Sequence, residues 1–204
     1  MGELATLCTQ FGQNLLAEES TYTLELKTEA DRAGLPAFVL QAAKAAAQQR
    51  GLGDDAYALT LSPSLAEPFL TFSSRRDLRE TLWRARVARG AHAGEHDNRP
   101  VAAKIMALRQ EQAALHGYTT YADYELGDPP AGKTSAALVP LPPPWGPAKA
   151  YAEVDRQTLT EMARTLGEPT PIAAWDWRYL AQKVRAQRFA PDDAEPKPYF
   201  SPAA

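Results

Sequence analysis

Cysteine is almost missing from this chain: Cys8 stands alone among 204 residues. No internal disulfide framework can form, and the usage fits a reducing compartment. Long apolar runs are missing too. Nothing approaches the roughly 18 residues of a membrane span, and no basic-then-apolar leader opens the sequence. Together these absences predict a cytoplasmic protein with no membrane partner. An excess of one charge is also lacking: 22 basic and 25 acidic side chains leave a net charge of −3, so nothing global points to nucleic acid. What remains, with 45 % apolar and 23 % charged residues, is the make-up of an ordinary globular chain able to bury a core. Proline, at 17 residues, is the one abundance.

Apolar residues recur mainly at helical spacing. Leu4, Leu7, Cys8, Phe11 and Leu15 share one face, which predicts a helix to about Tyr22 with Cys8 buried in it as a small hydrophobe. An extended piece follows. Thr28 with Asp31 three residues on reads as an acidic capping box. Pro36 opens an alanine-rich helix that Gly51 ends. Ala56 to Leu61 is the clearest strand candidate. Ser64 and Ser74 are expected to cap helices running to about Phe72 and Ala88, the second with Leu78, Leu82 and Ala85 inward. Asn98 and Pro100 open a helix with Val101, Ile105, Leu108 and Leu115 on its stripe, and Thr119 and Thr120 start a short one. His116, ending a helix, is expected to offset the dipole there. The fold class is all-α, an irregular multi-helix array with at most one or two short strands.

Residues 1–132 read as a helical region, in which Gly127 to Gly132 form a flexible joint. Residues 133–147 read as a proline-rich irregular connection, because Pro140, Pro142, Pro143, Pro144 and Pro147 forbid a helix before Pro147. Residues 148–204 read as C-terminal helices packing back on the first region. The last of these runs from the Trp175 segment to about Phe189.

His92-Ala93-Gly94-Glu95-His96 matches the H-x-x-E-H metal motif, which needs two histidines on consecutive helical turns. Gly90 and Gly94 oppose a helix there, so a solvated loop is the expectation and no metal site is assigned to His92, Glu95 and His96. From Arg75 to Arg109 nine basic residues face four acids. Solvated helix faces and ion pairs with Asp77, Glu80 and Glu111 account for them better than a nucleic-acid face. Trp175, Trp177 and Tyr179 could line a peptide channel, but aromatics at this spacing more often form core. Asp176 and Arg178 are expected to lock local structure by hydrogen bonding.

Several patterns in order resemble the thimet-oligopeptidase and peptidyl-dipeptidase group of zinc metallopeptidases, especially its bacterial peptidyl-dipeptidase and oligopeptidase A branch. They include Leu4-Ala5-Thr6-Leu7, Phe11-Gly12-Gln13-Asn14-Leu15-Leu16, and Ala33-Gly34-Leu35-Pro36. Asp77-Leu78-Arg79-Glu80, Asp97-Asn98-Arg99-Pro100 and Leu108-Arg109-Gln110-Glu111 follow, then Tyr121-Ala122-Asp123-Tyr124. Trp175-Asp176-Trp177-Arg178-Tyr179 and Lys197-Pro198-Tyr199-Phe200 close the series.

The resemblance implies a neurolysin-like helical domain and, in the full-length family, zinc-dependent hydrolysis of short peptides. There an HExxH helix and a downstream Glu hold the metal. This sequence has no HExxH, so no catalytic residue and no cofactor is carried onto it. The family also has a regular helix where this chain reads Ala137 to Trp145. A truncated or fragmentary peptidase is therefore expected, inactive alone and serving as scaffold. The alternatives are a stand-alone module, its partner a second copy or the missing catalytic half, and an enzyme using the H-x-x-E-H loop.

Overall fold

The structure is a computed structural model that describes residues 2–127 and 142–189. Those residues form eight α-helices, one 3-10 turn and a two-stranded antiparallel sheet, so the chain is all-α with an irregular array of helices. In chain order these are α1 (Gly2–Thr21), β1 (Leu24–Glu25), α2 (Ala37–Gln49), β2 (Ala58–Leu59), α3 (Pro63–Phe72) and α4 (Arg76–Val87). Then come α5 (Asn98–Leu115), α6 (Tyr121–Glu125), α7 (Pro142–Leu166) and α8 (Trp177–Phe189). None is long and apolar enough to cross a membrane. The Lys197-Pro198-Tyr199-Phe200 pattern and residues 128–141, with most of the connection expected at 133–147, lie outside the described residues.

Two compact units emerge, one from 2–22, 85–127 and 142–153, the other from 23–84 and 154–189. In the first, α1 packs along α5, and α5 meets α6. Its buried residues are few: Asn14, Gly90, Asn98, Val101, Ile105 and Ala113. The two asparagines are paired, Asn14 Nδ2 donating to Asn98 Oδ1 at 2.9 Å, while Asn98 Nδ2 donates to the Phe11 carbonyl at 2.9 Å. A buried amide needs such partners, and here they fix the register of α1 on α5. Gly90 lies close by at φ +71°, where a Cβ would fall 2.9 Å from Asn98 Nδ2.

The second unit holds the larger apolar core. The strands pair Leu24 with Leu59 and Glu25 with Ala58, and α2 lies against β2 and α3. Val39, Ala43 and Ala47 on α2 and Leu65, Phe69 and Leu70 on α3 are buried, and alanines let the helices approach closely. Around α7 and α8, Leu159, Ala163, Tyr179 and Leu180 make a further cluster with Met162, Ile172 and Val184. Helix α3 packs on α8.

Local signals set several boundaries as expected. Thr28 N–H donates to Asp31 Oδ2 (2.9 Å) and Asp31 N–H to Thr28 Oγ1 (3.3 Å), the reciprocal capping pattern, and a 3-10 turn at Ala30–Arg32 follows. Others differ. Helix α7 begins at Pro142 rather than after Pro147. Pro142, Pro143 and Pro144 occupy its first turn, where N–H groups have no intrahelical acceptor, so the missing donors cost nothing there. Ser62, not Ser64, precedes α3, and its side chain makes no capping bond. Ser74 does not cap α4; its hydroxyl donates to the Ala33 carbonyl at 3.0 Å. Leu115, expected on the α5 stripe, is 81 % exposed because it sits in the last turn, beyond the buried Ala113.

Candidate functional site

The Trp-rich segment leads into α8 through Asp176, the residue before Trp177. Its backbone carbonyl accepts from Leu180 N–H at 2.9 Å, and its Oδ2 accepts from Ala173 N–H at 2.9 Å. The carboxylate thereby closes the preceding turn and sits where the positive end of the helix dipole favours an anion. Two arginines from α4 reach it. Arg76 binds it in a fork, Nε to Oδ1 at 3.0 Å and Nη2 to Oδ2 at 2.9 Å. Arg79 Nη2 donates to Oδ1 at 3.2 Å, and its Nη1 donates to the Ser73 carbonyl at 2.7 Å. Glu168 supplies a second carboxylate, 3.6 Å from Arg79 and 4.0 Å from Arg76.

Arg79 is fully buried and Asp176 is 2 % exposed. Two guanidinium charges against two carboxylates make that burial tolerable. Aromatic rings close the site. Arg79 lies over the Tyr179 ring at 4.0 Å, and Arg76 and Arg84 lie over Trp175 at 5.5 and 4.8 Å. Trp83 meets Trp175 edge to face at 5.7 Å. Burial is the main cause that raises the Tyr179 hydroxyl above its ordinary value; Arg79 opposes it and Glu168 adds to it. Tyr179 is therefore neutral at physiological pH. The charges are consumed by one another, so the arrangement braces α4 against α8.

The three aromatics fare differently. Tyr179 is buried, Trp175 is half-buried under the arginines, and Trp177 is 42 % exposed. Arg178 turns outward and pairs with Glu67 at 3.5 Å, an exposed contact.

His92, Glu95 and His96 lie on the loop between α4 and α5, not on a helix. Gly94, at φ +138°, takes a backbone conformation no helix contains. His92 Nδ1 lies 3.2 Å from Glu18 Oε1, and Glu18 Oε2 accepts from Gly90 N–H at 2.8 Å. Among the described residues no group of three or more His, Cys, Asp or Glu side chains is placed to hold a metal. His116 caps α5 and stacks on Tyr124 at 4.9 Å.

Cys8 is exposed, against expectation. It lies on the lip of a cleft with Phe11, Ile105 and Met106 instead of inside the α1–α5 contact. The basic stretch is extensively paired. Arg75 meets Asp31 and Asp77, Arg84 meets Glu80 at 2.7 Å, Arg89 meets Glu19, and Arg99 meets Asp97 at 2.7 Å.

Sequence reasoning found Asp176 but missed Arg76, Arg79 and Glu168. Two arginines one turn apart beside the inward Leu82 carried a faint signal. Their acidic partners lie about 100 residues further on, beyond the reach of local pattern.

Fold and site together define a helical protein with a buried arginine–carboxylate centre linking α4 to the start of α8. The chain belongs to Peptidase family M3, whose pattern matches residues 69–204. It is 32 % identical to Oligopeptidase A of Haemophilus influenzae over 204 residues, covering 98 % of this chain and 30 % of that protein. It is 30 % identical to Dipeptidyl carboxypeptidase of Salmonella typhimurium over 199 residues, covering 98 % of this chain and 29 % of that protein. With Oligopeptidase A of Escherichia coli the identity is 31 % over 207 residues, again 98 % of this chain and 30 % of the other. The chain thus spans about three-tenths of the length of the curated relatives it matches.

Proposed function

We propose that this chain is the non-catalytic helical scaffold portion of a peptidyl-dipeptidase-like zinc metallopeptidase. Hydrolysis of short peptides is the whole peptidase's reaction, and zinc is held by residues outside this chain. One observation carries the reading: 98 % of the chain aligns with about 30 % of Oligopeptidase A. The arginine–carboxylate brace suits a scaffold, because a buried and balanced ion network holds geometry without offering a reactive group. Its working partner is the catalytic part of such a peptidase, in a cytoplasmic setting, with no role for nucleic acid or membrane.

The test measures metal content and peptide cleavage on the purified chain after dialysis against micromolar zinc. The expected result is a zinc ratio near zero and no chelator-sensitive cleavage of a quenched fluorescent peptide. A ratio near one that falls in a His96→Ala variant overturns the reading and assigns the metal to the His92–His96 loop.

Self-association is the second reading, favoured by the exposed Trp145 and Tyr151 on α7, which are 64 % and 75 % accessible. Light scattering coupled to size exclusion distinguishes the two. A strict monomer at high concentration removes the homodimer.

A further inference from the structure

Apolar surface on the α1–α5 pair is incompletely covered. Cys8 and Phe11 on α1 and Ala102, Ile105, Met106 and Arg109 on α5 line an open cleft of about 260 Å³. The four α5 residues recur at helical spacing and form a single stripe. Ile105 is buried, Phe11 and Ala102 are half-buried, and Cys8 and Met106 stand exposed at the mouth. Among the described residues Arg109 is the one charged side chain that lines the cleft. Its guanidinium lies over the Tyr121 ring at 5.2 Å, and its Nε is buried without a hydrogen bond. No carboxylate among the described residues pairs with it. The carboxylate of Glu125 accepts from the Tyr121 hydroxyl instead.

Volume and chemistry say what fits. Pockets for drug-sized ligands begin at roughly 300 Å³, so the occupant of this cleft is small. The stripe from Ala102 to Arg109 runs about 10 Å along α5 and ends in a cation that lacks a countercharge. A carboxylate meets that cation by charge-assisted hydrogen bonds. Apart from Arg109, the lining side chains offer only the Cys8 thiol as a polar group. The backbone amides of a bound peptide would therefore lose their hydration without finding partners, which is costly. An aliphatic chain carries no such groups.

We propose that the α1–α5 cleft binds a small monocarboxylate with an unbranched aliphatic chain, of the fatty-acid class. The chain lies along Phe11, Ile105 and Met106, and the carboxylate rests on the Arg109 guanidinium that the Tyr121 ring supports. Cys8 borders the chain without bonding to it, so its thiol reports occupancy. The site is built from α1, α5 and α6 alone and does not rest on the peptidase reading.

The test is the rate at which N-ethylmaleimide alkylates Cys8, the sole thiol of the chain, measured by intact-mass spectrometry as sodium octanoate is added. Octanoate is expected to slow the reaction saturably. Butanoate, four methylenes shorter, should protect at least tenfold less well, since a fully buried methylene is worth about fourfold in affinity. Octanol, which keeps the chain and lacks the charge, should also protect at least tenfold less well. Arg109→Gln should remove the advantage of octanoate over octanol. Lys104→Gln, a charge change on α5 outside the cleft, should leave protection within twofold of the parent. Circular dichroism melts confirm that each variant is folded. Should Arg109→Gln fail to fold, Met106→Glu, an exposed change at the mouth, should weaken octanoate at least tenfold. Absence of saturable protection, equal protection by octanol and octanoate in the parent, or an unchanged preference in Arg109→Gln overturns the proposal. So does stronger protection by an N-acetylated peptide ending in leucine, which would give the cleft to a polypeptide end.

Discussion

Arg76 grips Asp176 across one hundred residues of sequence, Nε to Oδ1 at 3.0 Å and Nη2 to Oδ2 at 2.9 Å. With Arg79 and Glu168 it joins the end of one helical run to the start of another. The pair is worth more by its geometry than by its Coulomb energy, since burying the charges offsets much of their attraction.

Removing one partner exposes that balance. Asp176→Asn leaves the buried Arg79 short of a countercharge and weakens the closing bond from Ala173 N–H. The expected cost is about 3 kcal/mol, as for other broken buried pairs. Urea unfolding followed by circular dichroism measures it; a loss within experimental error would mean that Glu168 alone suffices.

Gly34 sits at φ +83°, and a Cβ there would lie 2.6 Å from the Phe72 carbonyl oxygen, a backbone atom. Neither the turn nor the end of α3 can yield without disturbing the Ser74-to-Ala33 bonds. Gly34→Ala should therefore destabilise the chain by about 2 kcal/mol. The same unfolding experiment decides, with Gly51→Ala, which meets no atom, as the milder control.

Asn14→Ala strips Asn98 Oδ1 of its donor inside a thinly packed unit. A buried acceptor left unpaired costs about 1–3 kcal/mol. Hydrogen exchange should show faster exchange in α1 and α5 and little change in α2 and α3. Uniform acceleration would contradict two separately packed units.

Asp97 precedes α5 and accepts from both the backbone N–H and the guanidinium of Arg99, at 2.9 Å to Oδ1 and 2.7 Å to Oδ2. Chiefly through the Arg99 side chain, its carboxyl is lowered from 3.8 to about 2. A depressed carboxyl contributes stability that is fully present above 3.8 and is lost as pH falls through about 2. Carbon-detected NMR titration should find the midpoint near 2 and fraying of the α5 start only below it. A midpoint at the ordinary carboxylate value would show that the Arg99 contact is not held in solution.

The helical nature of this protein was written locally. Spacing of Val101 and Ile105, the Thr28–Asp31 box and the alanines of α2 act over one or two turns, where sequence distance and spatial distance coincide. The family was legible for a related reason, since ordered short patterns survive in one dimension. Cys8 and Leu115 fit the same periodicity and yet are exposed, because sharing a helical face does not decide which of its residues a neighbouring helix covers. The prolines at 142–144 were misjudged by composition, since their effect depends on whether they fall inside a helix or at its first turn.

The sequence by itself determined that this is a helical chain of a peptidase family. Only the tertiary structure decided that Arg76 and Arg79 meet Asp176 and Glu168, and that Trp177 faces outward while Tyr179 is buried. Periodicity fixes which residues share a face. Packing between distant segments fixes which faces meet, and buried charges find partners there irrespective of their separation along the chain.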